Sequence, residues 1–228
     1  MAHNSSALRL TNLTPFVCRP LDSSPGGRFF YGNTMNKTIL SLCDFSGIWS
    51  QPYRDNGYNV IQIDIEHGQD VRLLKIPGKV HGIIAQPPCT HFASSGSRWW
   101  NEKGDEALLE GLSIVDACLR LVTVCKPSWW VLENPKGRLK DYIGPFQFSF
   151  NPCEFAGLSD DPEEEEYTKR TLLWGDFTPP MPLFVGVDSA RKPTLGSKFS
   201  NTPDVKDRGK IRSQSPQGFS RAFFMANP

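Results

Sequence analysis

The chain has 228 residues, 39% hydrophobic and 21% charged, with a formal net charge of +1. That length suits one core-bearing domain, and the balance excludes a disordered chain and a strongly electrostatic nucleic-acid binder while leaving room for a local basic cleft. No apolar run reaches the length of a membrane span, and the polar N-terminus lacks a signal-peptide core.

Six cysteines (Cys18, Cys43, Cys89, Cys118, Cys125, Cys153) are scattered without CxxC pairs, and the four histidines are dispersed. Neither a metal site nor a disulfide framework is expected, but reduced thiols in a cytoplasm. Residues 1–36 are rich in Ser, Asn, Pro and Gly and read as a loose arm, mildly basic through Arg9, Arg19 and Arg28.

Thr38 to Leu42 (TILSL) predicts a short strand running into the turn Cys43-Asp44-Phe45-Ser46-Gly47-Ile48-Trp49 and a helix through Gln51 to Asn56. A strand, a glycine turn and a helix open a Rossmann-like unit, because the glycine lets backbone approach a ligand and the helix start offers free N–H groups. Asn59 to Ile65 (NVIQIDI) alternates as the next strand. It ends in Asp64, where an acid can accept from both hydroxyls of a ribose. Gly68-Gln69-Asp70-Val71 places another acid at the following loop.

The chain is organised around Val80 to Gly96, VHGIIAQPPCTHFASSG. The apolar run Ile83-Ile84-Ala85 predicts a buried strand stopped by Gln86-Pro87-Pro88-Cys89. Two prolines fix φ and remove two donors, so Cys89 is held stiffly at a strand's carboxyl end. A thiol there is a candidate nucleophile.

Glu102 to Cys125 predicts a crossover helix, with Leu108, Leu112, Val115, Leu119 and Val122 on one stripe. Trp129 to Leu132 is the next strand, with Glu133-Asn134-Pro135 at its carboxyl end and the basic run Lys136 to Lys140 after it. Gln147 to Phe150 alternates as a strand, and Asp160 to Glu166 reads as a solvated acidic loop. Tyr167-Thr168-Lys169-Arg170 leads into a strand over Thr171 to Trp174, closed by Gly175. Residues 176–213 are rich in Pro and Gly, with Lys206, Arg208, Lys210 and Arg212 clustered. Ser215 to Asn227 predicts a turn and a short helix with Phe219, Ala222 and Phe223 inward. The alternation is that of a doubly wound α/β fold with a mostly parallel sheet and helices on both faces.

PPC with a following FxSSG, EN after a later strand, and the YTKRTxLWG stretch resemble the DNA cytosine-5 methyltransferases, and more closely their compact versions in bacteriophage genomes. The resemblance spans Thr38 to Asn227. It implies a Rossmann-like methyltransferase domain over 37–228 that uses S-adenosylmethionine, acts on DNA, and works as a monomer in the cytoplasm, of the host if phage-encoded. Cys89 would add to carbon 6 of cytosine, Glu133 would protonate or hydrogen-bond N3, and Arg170 would bind O2 and help keep Cys89 ionised. Asp44, Phe45, Gly47, Trp49, Asp64, Ile65, Asp70, Val71 and Gln86 would surround S-adenosylmethionine. Pro88, Asn134, Arg98, Lys136, Arg138 and Lys140, with the 206–212 cluster, would contact the substrate.

The family's FxGxG turn has a single glycine here, Gly47; its ENV is ENP; and its pair of arginines is reduced to Arg170, with Thr168 at the other position. Residues 176–214 stand where the family carries a target-recognition domain and are too few for one. Two rival readings follow: the same chemistry on a free cytidine nucleotide, single-stranded DNA or RNA, or a catalytically silent binding protein of the same fold.

Overall fold

The computed structural model describes residues 37–75, 77–185 and 213–228. The arm, the cluster from Lys206 to Arg212 and most of the 176–214 segment lie outside the described residues.

In chain order the elements are β1 (Thr38–Leu42), α1 (Gln51–Asp55), β2 (Asn59–Ile63), β3 (Gly82–Ala85), α2 (Trp100–Cys125), β4 (Trp129–Pro135), α3 (Lys140–Ile143), β5 (Phe148–Phe150), α4 (Pro162–Glu165), β6 (Thr171–Asp176) and α5 (Gln217–Ala226). The sheet order is β2-β1-β3-β4-β6-β5. The first four strands are mutually parallel, and β6 is antiparallel to both neighbours, so β5 runs with the first four.

Strand alternation sorts side chains to two cores. Leu40, Leu42, Ile83, Ala85 and Leu132 face one side and meet Val115, Cys118 and Leu121 of α2. Ile39, Ile84, Val131 and Leu173 face the other and meet Trp49, Tyr53, Phe219 and Phe223 from the α1 and α5 layer. The mostly parallel Rossmann-like α/β sheet with helices on both faces, the fold class that the resemblance implied, is the fold of the chain.

Four boundaries differ from the sequence reading, each for a local reason. β2 stops at Ile63 because Asp64 caps a 3-10 turn, its carboxylate accepting from Glu66 N at 2.9 Å. β4 runs on to Pro135 because β6 pairs with its last residues, Glu133 against Leu173 and Asn134 against Leu172. In α2, Gly104 at φ 71°, ψ −175° interrupts the first turns, and the fully buried face centres on Val115, Cys118 and Leu121, with the other predicted stripe residues at its margins.

The fourth is a correction. The acidic segment is not a solvated loop: Glu165 accepts from Gln217 N at 2.5 Å and Gly218 N at 3.0 Å, and Asp160 pairs with Arg221 at 2.7 Å. The Glu165 carboxylate caps the start of α5, whose first N–H groups have no partner within the helix, and Asp160 ties the segment to the Arg221 and Gln217 side chains.

Candidate active site

β1 lies between β2 and β3, and from this point the chain leaves the sheet in opposite directions. A parallel sheet opens a crevice at such a switch, beyond the carboxyl ends of the two central strands. The turns after β1 and β3 wall that crevice.

The first turn is held by Asp44, which is buried and accepts from Ser41 Oγ (2.7 Å), Gly47 N (2.7 Å) and Ser50 Oγ (3.0 Å). Gly47 sits at φ +69°, and a Cβ there would lie 2.9 Å from both Arg54 Nη2 and Gln62 Oε1. The left-handed conformation therefore favours glycine, and a Cβ would also push the ends of the Arg54 and Gln62 side chains aside. Gln62 Nε2 closes the turn on the Asp44 carbonyl at 2.6 Å.

The second turn carries Cys89, which is exposed. Its loop is fastened to the chain that follows β4. Asn134 Nδ2 donates to Pro87 O at 2.9 Å, Ser94 N to Lys136 O at 2.9 Å, Arg138 N to Phe92 O at 2.9 Å, and Arg138 Nε to His91 O at 2.8 Å. Phe92, wholly buried, anchors the middle of the loop. Gly137 passes so close that a Cβ would stand 1.9 Å from Phe92 O.

Between the two turns lies a small cavity of about 70 Å³. Asp44, Phe45, Gln86, Pro88, Cys89 and Glu133 all line it, so six of the residues singled out in the sequence converge there. Burial pushes the Glu133 carboxyl above its ordinary value, and the positive charge of Lys169 pulls it back. Glu133 is half-buried and makes no hydrogen bond to a described residue.

Lys169 lines this cavity, and Arg170 does not. Opposite residues of a strand pair share a face, so Glu133, across from Leu173, faces the side of Leu173, Thr171 and Lys169. Arg170 points away, exposed, into a separate groove with Lys136, Arg138 and Lys140. Sequence reading chose Arg170; the deciding signal, the β4–β6 register, is not visible in the chain alone. Gly137 was likewise passed over, because only the approach of Phe92 gives it a role.

A cleft of about 220 Å³ adjoins the cavity along the carboxyl ends of β1 and β2, with Cys43 and Pro88 lining both. Asp64, Ile65, Asp70 and Val71 line it. Ile65 is 67% exposed and presents an apolar surface between two acids. Asp70 is bound by Arg72 at 2.7 Å, and those hydrogen bonds hold its carboxyl below the ordinary value. The cleft offers the Asp64 carboxylate and an aliphatic face at Ile65 and Val71, while both Asp70 oxygens are taken up by Arg72.

Two further residues, Trp49 and Asn134, sit away from the places the resemblance gave them. The Trp49 ring is buried in the core, edge-on to Phe219 and Phe223 at 5.1 and 5.3 Å. Asn134 is wholly buried and ties two loops together. Arg98, by contrast, is exposed as a phosphate contact requires, its guanidinium 5.1 Å from the Trp99 ring. Among the described residues no group of histidines, cysteines or acids has metal-binding geometry, and no helix is long and apolar enough to cross a membrane.

No family model and no curated protein matches the chain. Among solved structures, it is similar to a protein described as a candidate DNA modification methyltransferase encoded within a prophage of E. coli. The identity is 14%, the TM-score 0.41, and the match covers 74% of this chain and 56% of that one, so the chain spans little over half of its length.

Proposed function

We propose that the chain transfers a methyl group from S-adenosylmethionine to carbon 5 of cytosine in DNA, through a covalent bond between Cys89 and carbon 6. The observation that carries this reading is the shared cavity. A thiol on a proline-stiffened loop and a carboxyl raised by burial line one space between neighbouring strand ends, with the cleft of Asp64, Ile65 and Val71 adjoining it through Cys43 and Pro88.

Carbon 5 of cytosine is a poor nucleophile until a nucleophile adds at carbon 6. The Cys89 thiolate gives its electron pair to carbon 6, the Sγ–carbon 6 bond forms, and Glu133 places its proton on N3 as electron density moves to carbon 5. Asp64, Ile65 and Val71, with the Asp70–Arg72 pair beside them, would hold S-adenosylmethionine, which supplies an electrophilic methyl group when bound. After carbon 5 is methylated its proton leaves to solvent, the Sγ–carbon 6 bond breaks, and the N3 proton returns to Glu133.

Lys169 takes the part that the resemblance gave to Arg170: its charge favours the Cys89 thiolate and the pyrimidine O2. Asp44 and Asn134 are positioning residues, and Trp49 belongs to the core. Residues 37–228 form the catalytic domain in this reading, with 176–214 a short insert. Arg98 and the 206–212 cluster remain phosphate contacts, acting beside the groove below.

The test is transfer of radiolabelled methyl from S-adenosylmethionine to duplex DNA, single strands and dCMP side by side, followed by nucleoside analysis. The expected result is 5-methylcytosine, with covalent trapping of the chain on DNA carrying 5-fluorocytosine. Label on the exocyclic amino group, or no label on any substrate, would sink the reading.

A further inference from the structure

Beside the Cys89 cavity runs a groove of about 610 Å³. Alternation divides the two spaces: Pro135 and Lys169 line the cavity, whereas their chain neighbours Lys136 and Arg170 line the groove. Lys136 N donates to Arg170 O at 3.0 Å, so that hydrogen bond is part of the wall between them.

The apolar lining of the groove is Leu172, Trp100 and Phe146, with the Trp100 ring covered by Arg138 and the Phe146 ring edge-on to Trp174 at 6.3 Å. Four basic side chains and one acid, Asp141, surround it. Two of the cations are committed: Arg138 lies 4.4 Å over the Trp100 ring and bonds His91 O, and Lys140 pairs with Asp141 at 2.5 Å. The Lys136 and Arg170 side chains make no hydrogen bond or ion pair with a described residue. The Phe146 ring is 38% exposed.

We propose that this groove binds the nucleotides flanking the target cytosine in an unpaired DNA strand, with phosphates on Lys136 and Arg170 and a base on Phe146. A duplex keeps its base faces stacked on one another and has none to offer a protein ring. A groove lined by cations and an exposed aromatic ring therefore fits a single strand. The identity of the target rests on the function proposed above, and the groove narrows the substrate class to single-stranded DNA. Stacking accepts every base, so the groove reads little sequence, and an unpaired target needs no extraction from a duplex.

The test is fluorescence anisotropy with a labelled 12-nucleotide single strand, its duplex and dCMP as competitors, in the absence of S-adenosylmethionine. The single strand binds at least tenfold more tightly than the duplex, and dCMP does not compete. Lys136→Ala with Arg170→Ala lowers the slope of log affinity against log salt by about 1.4, from about 0.7 per phosphate contact on single strands. Phe146→Ala weakens binding about tenfold, the order of one base–aromatic stack. All three side chains are exposed, and the far-ultraviolet circular dichroism of the variants checks the fold.

In the unaltered chain, a single strand carrying 5-iodocytosine crosslinks to the peptides containing Trp100 or Phe146. Tighter binding of the duplex, variants with wild-type affinity and slope, or crosslinks confined to other peptides would each overturn the proposal. Absence of methyl transfer with groove-dependent binding intact removes the proposed function and leaves the groove standing. Methyl transfer to a single strand by the Phe146 and Lys136/Arg170 variants at wild-type affinity removes the groove and leaves the function.

Discussion

Two carboxylates reach the same cavity, and they are built in opposite ways. Asp44, in the turn after β1, is buried and accepts from two hydroxyls and a backbone N–H. Glu133, near the end of β4, is desolvated, has no hydrogen-bond donor among the described residues, and faces the charge of Lys169. A carboxylate whose acceptor sites are filled from its own chain is part of a wall. One left short of donors and pushed toward its protonated form has hydrogen-bonding capacity to give a ligand. The difference separates architecture from chemistry within a single cavity.

The largest test lies beside both acids. Cys89→Ser is expected to bring methyl transfer to background while binding of S-adenosylmethionine, followed by calorimetry, stays near the wild-type level, because the cleft acids are elsewhere. Wild-type turnover by that variant would mean that the cavity is not where the reaction occurs.

Exchanging the two acids sharpens the comparison. Glu133→Gln is expected to slow turnover by about 10²–10⁴-fold, the usual worth of a positioned general acid, and to leave stability little lowered. Asp44→Asn should instead destabilise by about 1–3 kcal/mol in denaturant melts, since its amide would meet donors where a carboxylate now accepts. Equal effects of the two variants on turnover and on stability would erase the distinction.

Burial raises the folded-state pKa of Glu133 above its unfolded value, so the folded chain binds the extra proton. This contribution to stability is full below the unfolded pKa and is lost as pH rises through the folded one. The kcat/KM of the wild type should fall through the same window as the general acid deprotonates, and Glu133→Gln should abolish both slopes. Thermal melts and initial rates across a pH series provide the measurement.

Gly47→Ala is a smaller perturbation of the Asp44 turn. A left-handed φ costs a residue with a Cβ about 1–2 kcal/mol, and contact with Arg54 and Gln62 adds to it. The expected outcome is a lower midpoint in urea. Smallest is the pH shift in Lys169→Gln, beside the slower turnover expected from losing its charge at Cys89 and O2. Lys169 holds the Glu133 carboxyl down, so its loss should move the alkaline limb of the rate profile to higher pH. A shift to lower pH would show that Lys169 does not act on Glu133.

Much of this is legible along the chain because it depends on near neighbours. TILSL and GIIA are β-branched and apolar, and they form the central strands; Pro87 and Pro88 stop β3 where a sheet cannot accept missing donors. Asp64 directly follows β2 and Cys89 comes just after β3, so reading those strands located them, while Glu133 lies inside β4 near its carboxyl end and Asp70 lies past a 3-10 turn. What tertiary structure alone decided is whatever depends on register and partner. β4 extends past Leu132 because β6 pairs with it, Trp49 is core because α5 covers it, and Glu165 caps that same distant helix. The choice between Lys169 and Arg170 is the clearest case. Successive residues on a strand face opposite ways, and only the pairing of Glu133 with Leu173 determines which of the two cations meets the acid.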